Sequence, residues 1–171
     1  MSGGVRRAIP RDADAIAHVH VTSWRAAYRG LVHDDYLDDL SERERAAGWR
    51  RGIEEGPGRA LIAEEAGRVV GFVALGPIRD GAPDPGIGEI YAIYVLPERW
   101  GNGIGGDLFA GATEELRESG FSTGVLYVLQ GNDRARRFYE KAGWTTDEIV
   151  TTEHIDCLDL PVVCYRTDLS T

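Results

Sequence analysis

The stretch Val95-Leu96-Pro97-Glu98-Arg99-Trp100-Gly101-Asn102-Gly103-Ile104-Gly105-Gly106 decides how the rest of the chain is read. An apolar β-rich run, Glu89 to Leu96, ends at Pro97. Four glycines follow within six residues, and a helical pattern runs from about Asp107 to Glu118. Glycine permits positive φ and lets the backbone approach a ligand with no Cβ in between, and the N-terminus of the next helix aims free N–H groups at an anion. Such a strand, loop and helix can hold a phosphate; the bland reading is a turn that only joins strand to helix. As a pattern the loop is also G-x-G-x-x-G, but a dinucleotide fold needs the loop after its first strand and an acidic residue about 20 positions on. Here the next strand ends at Leu129-Gln130-Gly131, and the chain remaining after it is too short for that fold. The P-loop fails as well, because Asp107-Leu108 stands where Lys and Ser/Thr are required.

Working outward, Val5 to Ile9 alternates as a short strand. Pro10 and Asp12 open a helix carrying Ala15, Ile16, Val19 and the i, i+4 pair Trp24/Tyr28. Asp34 to Leu40 reads as one or two helical turns. Ser41-x-x-Glu44 is a capping box for a helix through Trp49 to Ile53, stopped by Gly56-Pro57-Gly58. Ala60 to Glu64 and Val69 to Leu75 read as strands joined at Ala66-Gly67. Pro77 to Gly88, with three prolines and three glycines, is a loop long enough to suggest a functional role. Val125 to Leu129 is a strand, Asn132 caps a helix over Asp133 to Ala142, and Gly143 is its stop. Ile149 to Ile155 and Leu160 to Arg166 close the chain as strands. This order predicts one α/β domain over residues 1–171, with a mixed, mostly antiparallel sheet of six to seven strands flanked by about four helices.

Composition sets outer limits. The chain has 171 residues, 28 Asp/Glu against 19 Lys/Arg and a formal net charge of -9. Its long-range field argues against nucleic acid and anionic membrane as partners. The sequence contains no apolar run long enough to span a bilayer and no secretory h-region near Met1 to Pro10, so a cytoplasmic location is expected. Cys157 and Cys164 read as small buried hydrophobes; with His154 they make no regular metal spacing, and no metal is expected. His18, His20 and His33 fall in no motif.

The segment Val95-x-Pro97-x-x-x-Gly101-x-Gly103-Ile104-Gly105 resembles the acyl-CoA-binding motif of the GNAT superfamily of N-acetyltransferases. Asn132-x-x-Ala135-x-x-Phe138-Tyr139-x-x-x-Gly143-Trp144 is similar to a second block of that family, and Trp24-Arg25-x-Ala27-Tyr28-Arg29-Gly30 resembles a block in one of its branches. Trp100 departs from the pattern, standing where the family often has Gln or Arg. The resemblance covers nearly the whole chain and implies a GNAT-like fold, acetyl-CoA as acyl donor and an amine of a small molecule or peptide as acceptor. It also implies that homodimers are common.

Residue by residue, the resemblance implies that Ile93, Tyr94 and Val95 pair with the pantetheine arm. Gly101, Asn102, Gly103, Ile104, Gly105 and Gly106 would hold the pyrophosphate, with Asn132, Ala135 and Phe138 as further cofactor contacts. Tyr139 matches the general acid; a phenol of ordinary pKa near 10 is protonated at neutral pH and can donate to a departing thiolate. Glu89 is the expected base, with a solvated strand-end carboxylate as the competing reading. Trp24, Tyr28 and Tyr91 are expected along the acceptor site, and the first pair reads equally as a core stripe. Arg134, Arg136 and Arg137 suit either CoA phosphates or a solvated helix face. A non-catalytic acyl-CoA-binding module and a nucleotide-binding oxidoreductase are the alternative functions.

Overall fold

A computed structural model describes residues 4–79 and 84–170. In chain order it contains β1 (Gly4–Arg7), α1 (Ala13–Ala27), α2 (Asp34–Asp38), α3 (Glu42–Glu55), β2 (Arg59–Glu65), β3 (Arg68–Pro77), β4 (Ile87–Val95), α4 (Ile104–Glu118), β5 (Thr123–Leu129), α5 (Asp133–Lys141), β6 (Thr145–Ile155) and β7 (Leu158–Asp168). The strands form a seven-stranded mixed sheet in the order β1-β2-β3-β4-β5-β7-β6. Five helices stand among the described residues where about four were expected, because Asp34–Asp38 closes enough turn to count as one. Of the expected loop Pro77 to Gly88, Gly81 and Pro83 lie outside the described residues.

The chain divides into two compact units, residues 1–76 with 90–115, and residues 77–89 with 116–171. In the first, β1 and β2 pair antiparallel, as do β2 and β3. The β2–β3 turn takes positive φ at Ala66 and Gly67, 50° and 78°, the geometry of a two-residue hairpin that matches strand twist. α1 buries Ile16, Val19, Ser23 and Trp24, a stripe at helical spacing, and packs on α3. Ile62, Phe72, Leu75 and Leu108 complete a buried apolar core.

Two expected caps resolve differently. Ser41 accepts from the Glu44 amide at 3.2 Å, as its position predicts. Asp12 does not cap α1: its carboxylate is taken by Arg6 at 2.9 and 3.0 Å and by the Ile9 amide at 2.8 Å, so a half-buried ion pair outcompetes the helix end.

In the second unit β7 is flanked antiparallel by β5 and β6, with Leu126 opposite Tyr165 and Val150 opposite Val163. β6 begins at Thr145, ahead of the expected Ile149, and its pairing with β7 is interrupted between Thr146 and Val150, where Glu148 has φ 63°. Gly124 has no Cβ because Trp144 lies there: a Cβ would stand 2.9 Å from the indole. Asn132 caps α5 by accepting from the Ala135 amide at 3.2 Å, and Gly143 follows with φ 90°.

Candidate active site

β4 is unusual for a strand placed fourth of seven. Ile90 and Leu96 are buried, but every residue from Tyr91 to Val95 is only half-buried. The strand runs into a short 3-10 turn at Pro97–Arg99 and then the glycine loop. Gly101 and Gly103 take φ of 81° and 84°, and a Cβ at either would meet nothing within 4 Å. Their requirement is therefore conformational rather than steric. α4 starts at Ile104, three residues earlier than expected, so Gly105 and Gly106 belong to its first turn and not to the loop. The buried Ile104 side chain anchors that start. Asn102 stays exposed between the two left-handed glycines.

The end of β4 is held by groups from three directions. The Leu96 amide donates to the Val70 carbonyl of β3 at 2.8 Å. The Val95 carbonyl accepts from Ser23 Oγ of α1 at 3.1 Å and from the Trp100 indole N–H at 2.8 Å. Ser23 was not singled out in the sequence, yet a hydroxyl within the apolar stripe Ile16, Val19, Ser23 is a readable signal. Trp100 replaces the usual Gln or Arg with a donor that reaches back across the turn.

Beside this strand end lies an aromatic cluster. The Tyr28 and Tyr94 hydroxyls are 3.0 Å apart. His20 stacks on Tyr94 with centroids 5.7 Å apart and accepts at Nδ1 from the Trp49 indole at 3.1 Å. Trp24 packs edge-on to Tyr28 at 4.7 Å. Trp24 is 6% exposed and Tyr28 8%, so both rings serve the core first. Tyr94, expected at the cofactor, sends its side chain into this cluster. Arg25 ties α1 to the end of α2 by donating to the carbonyls of Leu37, Asp38 and Leu40. Tyr91 has its own bed: a Cβ at Gly76 would come 2.5 Å from its hydroxyl, and one at Gly58 3.0 Å from its ring.

In the second unit Glu89 is no solvated strand-end carboxylate. Its side chain is 3% exposed and accepts from the Arg79 amide at 3.1 Å and from the Arg79 guanidinium at 2.8 and 3.3 Å. Arg79 carried no signal in the sequence, lying in a Pro/Gly-rich segment. Tyr139 is buried on α5 between Phe138 and Tyr165, ring centroids 5.5 and 5.9 Å away. Tyr165 donates to Glu140 at 2.7 Å and accepts from Arg136 Nε at 3.1 Å; burial pushes its phenol above the ordinary range. Arg136 is thereby spent inside the unit, together with Glu148, rather than presented to a ligand. Among the described residues no three His, Cys, Asp or Glu side chains gather to hold a metal, and no helix is long and apolar enough to cross a membrane.

Residues 17–144 match the Acetyltransferase (GNAT) family. The chain belongs to the GNAT family of acetyltransferases. It is 39% identical over 129 residues to YuaI of Bacillus subtilis, named as an N-acetyltransferase, covering 75% of this chain and 72% of that one. It is 35% identical over 116 residues to the mycothiol acetyltransferase of Thermobispora bispora, covering 65% of this chain but only 37% of that protein. Among solved structures, the PaiA N-acetyltransferase of Thermoplasma acidophilum in complex with coenzyme A superposes with a TM-score of 0.74 at 22% identity, covering 98% of this chain and 99% of that one. The GNAT fold thus accounts for the strand order, the glycine loop and the position of α5 after β5.

Proposed function

We propose that this GNAT acetyltransferase moves an acetyl group from acetyl-CoA to a primary amine of a small molecule or peptide, directly and within a ternary complex. The observation that carries the reading is the half-buried run Tyr91 to Val95 leading into two left-handed glycines and the N-terminus of α4. Backbone amides of the loop and helix start fit a pyrophosphate, since no side chain intervenes at Gly101 or Gly103. The coenzyme A in the PaiA complex supports this choice of donor.

The transfer needs a neutral amine, a polarised thioester carbonyl and a proton for the leaving thiolate. The amine nitrogen attacks the acetyl carbon, the C–S bond breaks, and the amide and CoA thiol are the products. Tyr139 supplies the thiolate proton. Glu89 is the carboxylate assigned to the proton lost from the amine, directly or through water, and Arg79 keeps that carboxylate oriented. Tyr91 lies on the acceptor side, over Gly58 and Gly76.

The test is a thiol-release assay over a broad amine panel together with acetyl-CoA calorimetry. Release that depends on an amine supports the reading. Absence of both release and acetyl-CoA binding overturns it.

A further inference from the structure

Along a strand, the N–H and C=O of one residue point to the same edge, and those of the next residue to the opposite edge. The Leu96 amide points at β3, so the N–H and C=O of Val95 lie on the edge of β4 away from β3, together with those of Ile93. A strand edge normally offers its carbonyls to whatever lies along it. The Val95 carbonyl offers nothing further: with Ser23 Oγ at 3.1 Å and the Trp100 indole at 2.8 Å, both of its lone-pair directions are taken.

The donors are themselves fixed. Ser23 is 1% exposed in the middle of α1, and Trp100 closes the 3-10 turn at Pro97–Arg99. The planar Val95–Leu96 peptide, gripped at its Leu96 N–H by the Val70 carbonyl and at its Val95 C=O by two side chains, resists rotation and so fixes the Cα of Val95, the pivot from which the preceding peptide carries the Val95 N–H. The strand therefore stops at a fixed residue, and the glycine loop departs from a fixed direction.

We propose that Ser23 and Trp100 form a two-donor clamp on the Val95 carbonyl that holds the Val95 N–H in register with the acetyl carbonyl oxygen of acetyl-CoA. Both are positioning residues, since neither touches the reacting atoms. The clamp also explains why Trp can stand before the glycine loop: the position needs an N–H that reaches back to residue 95, which the indole supplies. The inference rests on the reading that β4 and the loop bind acyl-CoA.

The experiment uses the full chain with acetyl-CoA labelled with carbon-13 at the acetyl carbonyl. Infrared difference spectra report how strongly that carbonyl is polarised, and calorimetry reports the Kd of CoA. In the wild type the bound carbonyl band falls below that of free acetyl-CoA. In the double variant Trp100→Phe with Ser23→Ala it moves back toward the free position. The Kd of CoA changes by no more than about threefold, as for a neutral hydrogen bond lost away from the pyrophosphate.

Trp100→Gln and Ser23→Thr, which keep a donor, hold the wild-type band. Should the double variant not fold, Trp100→Phe and Ser23→Ala alone each give part of the same shift. An unshifted band in wild type, or a band unmoved in the variants, overturns the clamp while leaving the acetyltransferase reading intact. Failure of wild type to bind acetyl-CoA overturns that reading instead.

Discussion

The Arg79 guanidinium lies 2.8 Å from the Glu89 carboxylate, and the two are unequally wet: the Arg79 side chain is 53% exposed and that of Glu89 3%. Among the described residues the buried carboxylate draws on this cation, while the half-exposed guanidinium depends less on the carboxylate. Removing Arg79 strands a buried charge, whereas Glu89→Gln removes the charge and keeps an acceptor for the Arg79 amide. Arg79→Ala is expected to cost about 1 to 3 kcal/mol, below the full penalty for breaking a buried pair because the guanidinium is half in water. Glu89→Gln is expected to keep Tm within a few degrees but to lower kcat. Thermal melts beside steady-state kinetics check both, and a Glu89→Gln enzyme with full kcat removes Glu89 from the proton path.

Tyr139 is 8% exposed and sits against Tyr165 in a packed face of α5. Phenylalanine fits the same space, so Tyr139→Phe isolates the hydroxyl. With Tyr139 as general acid, kcat is expected to fall about 10- to 1000-fold at saturating acetyl-CoA, the lower side reflecting that thiolate leaves readily. The Kd of CoA is expected to stay constant. Unchanged kcat with the acceptor in excess would assign the proton to another donor.

How far the sequence could be read follows a physical divide. Periodicity and capping residues fixed the elements: Ser41, Asn132, Gly67 and Gly143 act as their chemistry dictates, because each such signal is confined to a few neighbouring residues. Where a side-chain contact competes with a capping or loop role, the spacing-based reading failed. Asp12 left the helix end for Arg6, and Gly105 and Gly106 joined α4 because Ile104 is buried ahead of them. The site divides in the same way. Gly101 and Gly103 were legible in the spacing, whereas Arg79 on Glu89 and Ser23 on Val95 join residues 10 and 72 positions apart, which no spacing encodes.

Gly101 and Gly103 differ from Gly106, which lies in the first turn of α4, in taking φ near +80°, with open space around them. Alanine at either is expected to cost about 1 to 2 kcal/mol of loop conformation. That cost falls on the bound state if the loop relaxes when free, so acetyl-CoA is expected to bind about 5- to 30-fold more weakly, each 1.4 kcal/mol being tenfold. Gly48→Ala, inside α3 with nothing within 4 Å of its Cβ and away from the glycine loop, is the control and is expected to change binding little. Calorimetry on the three variants checks the contrast; equal losses at all three would mean that φ is not what the loop requires.

Asp12 gives the fold a defined acid sensitivity. Hydrogen bonds from Arg6 hold its carboxyl below the ordinary 3.8, outweighing the burial that pushes the other way, with a further contribution from the Ile9 amide. A carboxyl whose folded-state pKa is depressed stabilises the fold fully above its unfolded pKa, and that contribution drains away as the pH falls through the folded value. Stability is therefore expected to be level in this term above about pH 5 and to fall below pH 4. Burial pushes the Glu115 carboxyl up, but hydrogen bonds and attraction from Arg59 and Arg7 together outweigh it and hold it below the ordinary value, which adds to the same slope. Arg6→Met deletes the main cause of the Asp12 shift. Such a variant is expected to be less stable at neutral pH by about 1 to 3 kcal/mol, because a buried carboxylate loses its guanidinium partner and keeps the Ile9 amide and the weaker attraction of Arg11. It is also expected to lose less stability between pH 5 and pH 3 than the wild type, since burial then raises the folded-state pKa. Urea unfolding across that range compares the two slopes; parallel curves would show that the Arg6 pair is not what makes the fold acid-sensitive.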